Sequence, residues 1–239
     1  VVGNGHTLSN VNMQNGYLFD NVMDGVITNL KIESTHNTCL VNNAKESSTT
    51  TGWGCYIAGV SLLCPSGENS IAADLGSNSY VVGCIHVGNA TGALVGKANN
   101  LAMMGCMQAA SGIASGNGAL LGEGSVTSSL FMYNYYDVEL SPGTNAVGAT
   151  TDAYGYDKYI RGSKSHILKA VHDYKVSDES YEKMNDNMKR EVYGIAPWTA
   201  MNMGIDKYNG TAIGKKYPCV MSYSISDGYS NRYPTLNLK

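Results

Sequence analysis

Residues 82–122 read VGCIHVGNATGALVGKANNLAMMGCMQAASGIASGNGALLG, and this stretch decides the fold. The pentapeptide GALVG at residues 92–96 returns as GALLG at residues 118–122. Apolar residues also recur in the pattern apolar-x-x-apolar-x-apolar, once at residues 82–87 and again at residues 104–109. Two patterns that return together, separated by Gly, Asn and Ser, are typical of a protein built from stacked repeats.

Six copies of the apolar pattern are present in the first part of the chain. They are Leu8/Val11/Met13, Ile27/Leu30/Ile32, Ile57/Val60/Leu62, Val82/Ile85/Val87, Met104/Met107/Ala109 and Thr127/Leu130/Met132. Successive copies start 19, 30, 25, 22 and 23 residues apart, which lies within the period range of solenoids. The sixth copy is the weakest, because Thr127 replaces an aliphatic residue.

These spacings favour short parallel strands. A strand of a few residues cannot bury a face alone, whereas stacked coils pair strand to strand at about 4.8 Å per rung. Gly and Asn suit the corners because they accept positive φ. We therefore predict a mainly β chain that forms a right-handed parallel β-helix of about six coils with a C-terminal α+β cap. A leucine-rich repeat is disfavoured, since its Asn position and helical segment are missing.

The third position of each copy predicts which side chains stack on one another. This alignment places Asn10 near Asn29 and Cys84 near Cys106. The six cysteines include no C-x-x-C pair, and we interpret them as buried thiols. Disulfides are the alternative for an exported chain.

The glycine-rich pentapeptides and the strands between them resemble the GLUG-motif repeats of bacterial cell-surface proteins. The opening residues 3–13 (GNGHTLSNVNM) are similar to the first coil of those β-helices, and the resemblance covers roughly residues 1–132. It implies an exported bacterial protein at the cell surface or outside the cell, often adhesin-like. The family has no defined activity that could be transferred to particular residues.

The two halves of the chain differ in composition. Residues 1–130 carry three Lys and no Arg, whereas residues 131–239 carry ten Lys, three Arg and 14 of the 17 Tyr. We predict a β-helix over 1–140, a linker over 141–155 and an α+β capping region over 156–239. Within the last region we predict helices over 177–193 and 198–208 and a strand over 217–225. Residues 166–171 are predicted as a strand, with a helix as the alternative. The start at Val1 suggests further domains on its N-terminal side.

Aromatic residues of the second half are the candidate ligand-binding residues, because Tyr and Trp dominate recognition surfaces. The candidates are Tyr133, Tyr135, Tyr136, Tyr154, Tyr156 and Trp198. Packing between the cap and the β-helix is the alternative role for each of them. A glycan or a host or matrix protein is the expected partner.

The chain lacks most patterns that carry chemistry. A net charge of −3 favours neither nucleic acid nor an acidic membrane, and no apolar run is long enough to span a bilayer. No cofactor, metal site or catalytic residue is predicted, since the histidines have no acid partners at metal-site spacing. Asp20 with Asp24, and Glu68 with Asp74, are candidate carboxylate pairs for a hydrolase. No acid recurs at equivalent positions of adjacent rungs, so we interpret these pairs as solvated loop charges. We therefore predict a non-catalytic binding scaffold. A polysaccharide lyase or glycoside hydrolase with a groove along the β-helix, or a structural stalk, remains an alternative.

Overall fold

The computed structural model describes residues 1–12, 16–36, 39–45, 54–64, 70–148, 160–163, 196–225 and 233–239. The strands in these ranges are β1 (Thr7–Val11), β2 (Tyr17–Met23), β3 (Val26–Ser34), β4 (Cys39–Lys45), β5 (Tyr56–Cys64), β6 (Ser70–Leu75), β7 (Tyr80–Val82), β8 (Ile85–Asn89), β9 (Val95–Met104), β10 (Met107–Ser111), β11 (Gly118–Met132), β12 (Asn134–Asp137), β13 (Asn145–Val147), β14 (Ile160–Ser163), β15 (Met221–Ser224) and β16 (Thr235–Leu238). The helices are α1 (Pro197–Asn209) and α2 (Ala212–Lys216).

Strands β1 to β14 stack in parallel and form a β-solenoid of about five turns. The first stack contains β1, the ends of β3 and β5, β8, β10, β12 and β14. The second stack contains β2, β4, β6, the starts of β9 and β11, and β13. The third stack contains the starts of β3 and β5, β7, and the ends of β9 and β11. The predicted mainly β solenoid is confirmed, and its inward side chains form one apolar core.

The predicted register holds for two pairs of copies. The second copy pairs residue for residue with the third, starting at Ile27 on Ile57. The fourth copy pairs with the fifth in the same way, starting at Val82 on Met104. The two glycine-rich pentapeptides also stack on each other, with Leu121 paired to Val95.

Between the third and fourth copies, the register differs by one residue from the prediction. Leu62 pairs with His86, where Val87 was expected. The turn residues set this register, because the chain bends with positive φ at Gly59 and again at Gly83. His86 consequently takes the inward position that Leu62 holds in the preceding rung.

The first copy is displaced from its predicted place. Leu8 pairs with Ile32 rather than with Ile27, so the predicted Asn10–Asn29 ladder is wrong. These two copies start 19 residues apart, which is less than the 22 to 30 residues between the starts of later copies.

The sixth copy is displaced because β11 carries extra residues. Met104 pairs with Met132 rather than with Thr127. Strand β11 runs five residues from Val126 to Phe131, where β9 advances by only two. The irregularity moves all later residues out of the predicted register.

Each rung bends between the third and first stacks at a residue with positive φ, and these residues form the corner column. They are Asn29, Gly59, Gly83, Gly105 and Tyr133, with φ between 57° and 68°. A side chain with a Cβ is strained in this conformation, which explains the Gly and Asn. Tyr133 is the exception at the end of the column.

The inward side chains that follow the corner column include the predicted pair Cys84 and Cys106. The backbone nitrogen of Cys84 donates to Sγ of Cys106 at 3.4 Å, and both residues are free thiols. Asn134 continues this column. Its Oδ1 accepts from the nitrogen of Cys106 and its Nδ2 donates to the Met103 carbonyl, each at 2.9 Å, so the buried amide is satisfied.

Helix α1 and the β15–β16 hairpin pack along the outer side of the corner column. A Cβ on Gly83 would lie 2.8 Å from Cδ1 of Ile205, and one on Gly105 would overlap the carbonyl oxygen of Met201. Ile205 and Met201 are fully buried. The absence of a side chain at these corners therefore lets the helix approach the solenoid backbone.

Two predicted elements of the C-terminal region are confirmed. Helix α1 covers the predicted helix over 198–208, and β15 lies within the predicted strand over 217–225. The segments 177–193 and 166–171, for which elements were predicted, lie outside the described residues. The described part of the cap lies beside several turns of the solenoid, on its lateral face.

The solenoid extends past residue 140. Strand β13 stacks on β11, with Val147 on Leu121, and β14 stacks on β12. The segment predicted as a linker over 141–155 thus contains a rung strand. Its small residues suit this place, because a Cβ on Gly148 would lie 2.5 Å from the carbonyl oxygen of Gly122.

Candidate ligand-binding surface

Three of the predicted aromatic residues meet in one cluster between the corner column and α1. Tyr133 and Tyr135 are buried there, and the half-buried Trp198, at the start of α1, packs against the same cluster. Their burial matches the packing role that the sequence left open. Tyr154 and Tyr156 lie outside the described residues.

Tyr136 lies on the opposite side of the same strand and faces the interior. It packs against the main core and a small cluster that includes Ile113. Burial raises the pKa of Tyr136. The structure therefore does not bring this residue together with Tyr133, Tyr135 and Trp198.

A different group of tyrosines lies at the seam between the third stack and the C-terminal region. We call Tyr56, Tyr80, Tyr208 and Tyr217 the tyrosine ladder. The ring centroids of Tyr56 and Tyr80 are 5.2 Å apart and the rings are stacked. Tyr217 lies 5.9 Å from Tyr56, and Tyr208 lies 6.2 Å from Tyr80. The ladder is thus a continuous row of four rings.

Two different elements hold the ladder in place. Tyr56 and Tyr80 pair directly across β5 and β7, so the rung spacing fixes their distance. The hydroxyl of Tyr208, on α1, donates to the carbonyl oxygen of Tyr217 at 2.9 Å. Tyr208 and Tyr56 are buried, whereas Tyr80 and Tyr217 are half-exposed and form the accessible edge.

The phenol groups of Tyr56 and Tyr80 remain neutral at physiological pH. Burial, together with Tyr80, Tyr217 and Asp24, raises the pKa of Tyr56 to about 12. Burial also raises the pKa of Tyr80. Neutral phenols keep both a donor and an acceptor. Nζ of Lys216 lies 5.0 Å from the Tyr217 ring centroid, which places an exposed cation at the rim.

The sequence contained a signal for part of this ladder. Tyr56 and Tyr80 each stand three residues before a corner glycine, Gly59 and Gly83. Aligning the copies on these glycines, rather than on apolar residues, places the two tyrosines in one column.

A line of polar side chains runs along the outside of the second stack. We call Asn43, Asp74, Lys97 and Glu123 the charged ladder, because each pairs with the next across successive strands. Lys97 and Glu123 are exposed and Asp74 is half-exposed.

Of the two carboxylate pairs considered from the sequence, Asp20 with Asp24 lies within the described residues. Asp20 accepts a hydrogen bond from Nδ2 of Asn42 at 2.9 Å, and Asp24 lies in the turn after β2 with a φ of 44°. Glu68 lies outside the described residues. Within the described ranges no group of three or more His, Cys, Asp or Glu is placed to hold a metal ion. Those ranges also contain no helix long and apolar enough to cross a bilayer.

No protein-family model matches the chain, and no curated protein or solved structure matches it. The arguments for function therefore rest on the two ladders and on the chemistry of their side chains.

Proposed function

We propose that the chain is a non-catalytic binding scaffold, exported to the cell surface or beyond, that holds carbohydrate at the tyrosine ladder. The observation that carries this proposal is the row of four neighbouring tyrosine rings, with an accessible edge formed by Tyr80 and Tyr217. The resemblance of the repeats to GLUG-motif proteins supports the surface placement.

The chemistry of the ladder suits a ligand rich in hydroxyl groups. Neutral phenols both donate and accept hydrogen bonds, as sugar hydroxyls do. Lys216 adds a charged donor beside Tyr217, and Asp24 adds a carboxylate whose charge acts on Tyr56. Because Tyr80 uses one ring face in stacking on Tyr56, it offers its edge and its hydroxyl to a ligand.

The solenoid prepares the ladder for binding. Tyr56 and Tyr80 lie on paired strands, and Tyr208 is anchored on a helix that packs on the corner column. Little side-chain freedom is left to lose on binding, which favours affinity from a modest number of contacts.

The test is a glycan-binding screen with the full chain, followed by titration of any glycan bound. The variant Tyr80→Phe/Tyr217→Phe keeps both rings and removes both hydroxyls. Since each lost hydrogen bond costs about 0.5–1.5 kcal/mol, we expect affinity to fall roughly tenfold or more. The matched control is Tyr136→Phe, which removes an inward-facing hydroxyl and should leave affinity unchanged. Lys216→Ala should also weaken binding, while its exposed neighbour Lys215→Ala should not.

Absence of binding to any glycan at millimolar concentration would contradict the proposal. Equal affinity of the wild type and Tyr80→Phe/Tyr217→Phe would place the binding site elsewhere.

A second candidate, cleavage of a polysaccharide, is favoured by the charged ladder. Asp74 and Glu123 lie two rungs apart, roughly 10 Å by the spacing of stacked strands, with Lys97 between them. Carboxylates roughly 6.5–9.5 Å apart are used by inverting glycosidases. Incubation with polysaccharides decides this candidate: release of fragments that stops in Asp74→Asn and Glu123→Gln supports an enzyme. Intact polymer after long incubation supports the scaffold.

A further inference from the structure

One inward column of the first stack contains polar side chains in the core. Its members are Ile32, Leu62, His86, Gln108 and Tyr136. Solvent does not reach His86, and Gln108 is only 1% exposed. His86 therefore stacks on Leu62 and Gln108 stacks on His86, at positions that earlier rungs fill with aliphatic residues.

The hydrogen bonds of this pair define the state of the imidazole. Nδ1 of His86 lies 3.0 Å from Oε1 of Gln108, and Nε2 of Gln108 donates to the carbonyl oxygen of Gly92 at 3.4 Å. Because the amide nitrogen is used at Gly92, Oε1 faces His86 and accepts a hydrogen from Nδ1. Nε2 of His86 is then the unprotonated nitrogen, and it is buried without a hydrogen-bond partner.

Protonation at Nε2 would create a charged donor with nothing to accept it. The groups stacked along this column are the apolar Leu62 from β5, the neutral amide of Gln108 from β10 and, beyond it, the phenol of Tyr136 from β12. Burial raises the pKa of Tyr136, so this phenol also stays neutral. Burial lowers the pKa of His86 to about 4, and the bond to Gln108 opposes this only in part.

We infer that His86 and Gln108 form an acid-sensitive switch within the solenoid. With His86 neutral, the pair joins two adjacent rungs and holds the turn at Gly92 through the Gln108 amide. Acid protonates Nε2, and the rung opens because the interior cannot accommodate the charge. The turn at Gly92 loses its bond at the same time.

The direction of the pH effect follows from the two pKa values. His86 has a lower pKa in the folded chain, about 4, than the 6.5 of an unperturbed histidine. The contribution of neutral His86 to the free energy of unfolding is complete above pH 6.5 and is lost as the pH falls towards 4. The ratio of folded to unfolded chain should fall by up to about tenfold per pH unit in this window.

The test compares urea unfolding of the full chain at pH 7.5 and pH 4.5 in three forms. The wild type should lose roughly 100-fold in its folding constant through this group. The folding constant of His86→Gln should fall about 100-fold less than that of the wild type between pH 7.5 and pH 4.5. The control His6→Gln alters an exposed histidine and should behave as the wild type. Equal acid sensitivity of His86→Gln and wild type would overturn the inference.

A second measurement does not depend on the variant folding. The nitrogen shifts of His86 in the wild-type chain should show an unprotonated Nε2 down to about pH 5. A charged imidazole at pH 6, with the chain still folded, would overturn the inference equally.

Discussion

The two outer sides of the solenoid are built from the same rungs and carry opposite kinds of side chain. Outside the corner column, Val82 and Met104 are buried under the C-terminal helix and hairpin. Outside the second stack, the charged ladder, with Lys97 and Glu123, faces solvent. The repeat thus fixes where a side chain points, whereas the C-terminal region determines which side becomes apolar. The tyrosine ladder lies at the seam between the third stack and the C-terminal region.

The largest effect is expected where a side chain is added to the covered corner. Gly105→Ala introduces a Cβ at a φ of 65° that overlaps the carbonyl oxygen of Met201. Strain and overpacking together should lower the free energy of unfolding by about 4 kcal/mol. Gly116→Ala separates the two causes, because Gly116 has a φ of 83° and open space around it. Gly116→Ala should lower the free energy of unfolding by about 1–2 kcal/mol. Urea titration of both variants measures the difference. Equal costs at both sites would show that α1 does not press on the corner.

A smaller effect is expected when a side chain is removed from α1. Ile205→Ala deletes a fully buried side chain at the corner column and should cost about 3 kcal/mol. Met203→Ala on the same helix is the matched control, since Met203 is 39% exposed, and should cost below about 0.5 kcal/mol. Thermal unfolding of both variants checks this contrast. Similar losses of stability in Ile205→Ala and Met203→Ala would mean that α1 does not bury the face that carries Ile205.

Stability that depends on the tyrosine ladder should be lost in alkali. Tyr56 has a pKa of about 12 in the folded chain, against 10 for an unperturbed tyrosine. Its contribution is therefore complete below pH 10 and is lost as the pH rises towards 12. After allowance for solvent screening, the loss should be about 1 kcal/mol. Tyr56→Phe should flatten this fall in unfolding experiments between pH 9 and pH 12, and an unchanged slope would contradict the packing of the ladder.

The smallest effect is expected on the open side. Lys97→Glu places a third acid between Asp74 and Glu123 and should cost about 0.5–1 kcal/mol at low salt. Lys97→Gln should be nearly neutral, and added salt should restore most of the loss in Lys97→Glu. A loss that does not respond to salt would show that the charged ladder is packed rather than solvated.

The repeat pattern predicted the parts of the fold that depend on apolar spacing. The stacking of Ile27 on Ile57, the pair Cys84 and Cys106, and helix α1 all follow from residue type and period. These features are local, or they repeat with little change between neighbouring rungs.

The same pattern failed where the backbone sets the register. The corner glycine is the third residue of the third copy, Gly59, and the second residue of the fourth copy, Gly83. Alignment on apolar residues therefore concealed a shift that places His86 inside. The tyrosine ladder was beyond prediction as a whole, because Tyr208 and Tyr217 reach it from a region with no repeat.

The docking of α1 on the corner column is tested most directly by a double-mutant cycle between Gly83 and Ile205. A Cβ on Gly83 would lie 2.8 Å from Cδ1 of Ile205, and Ile205→Ala removes that atom. Unfolding free energies of Gly83→Ala, Ile205→Ala, the double variant and the wild type give the coupling. We expect Gly83→Ala to cost at least about 1 kcal/mol less in the Ile205→Ala background. Additive costs, within about 0.5 kcal/mol, would contradict contact between the helix and this corner.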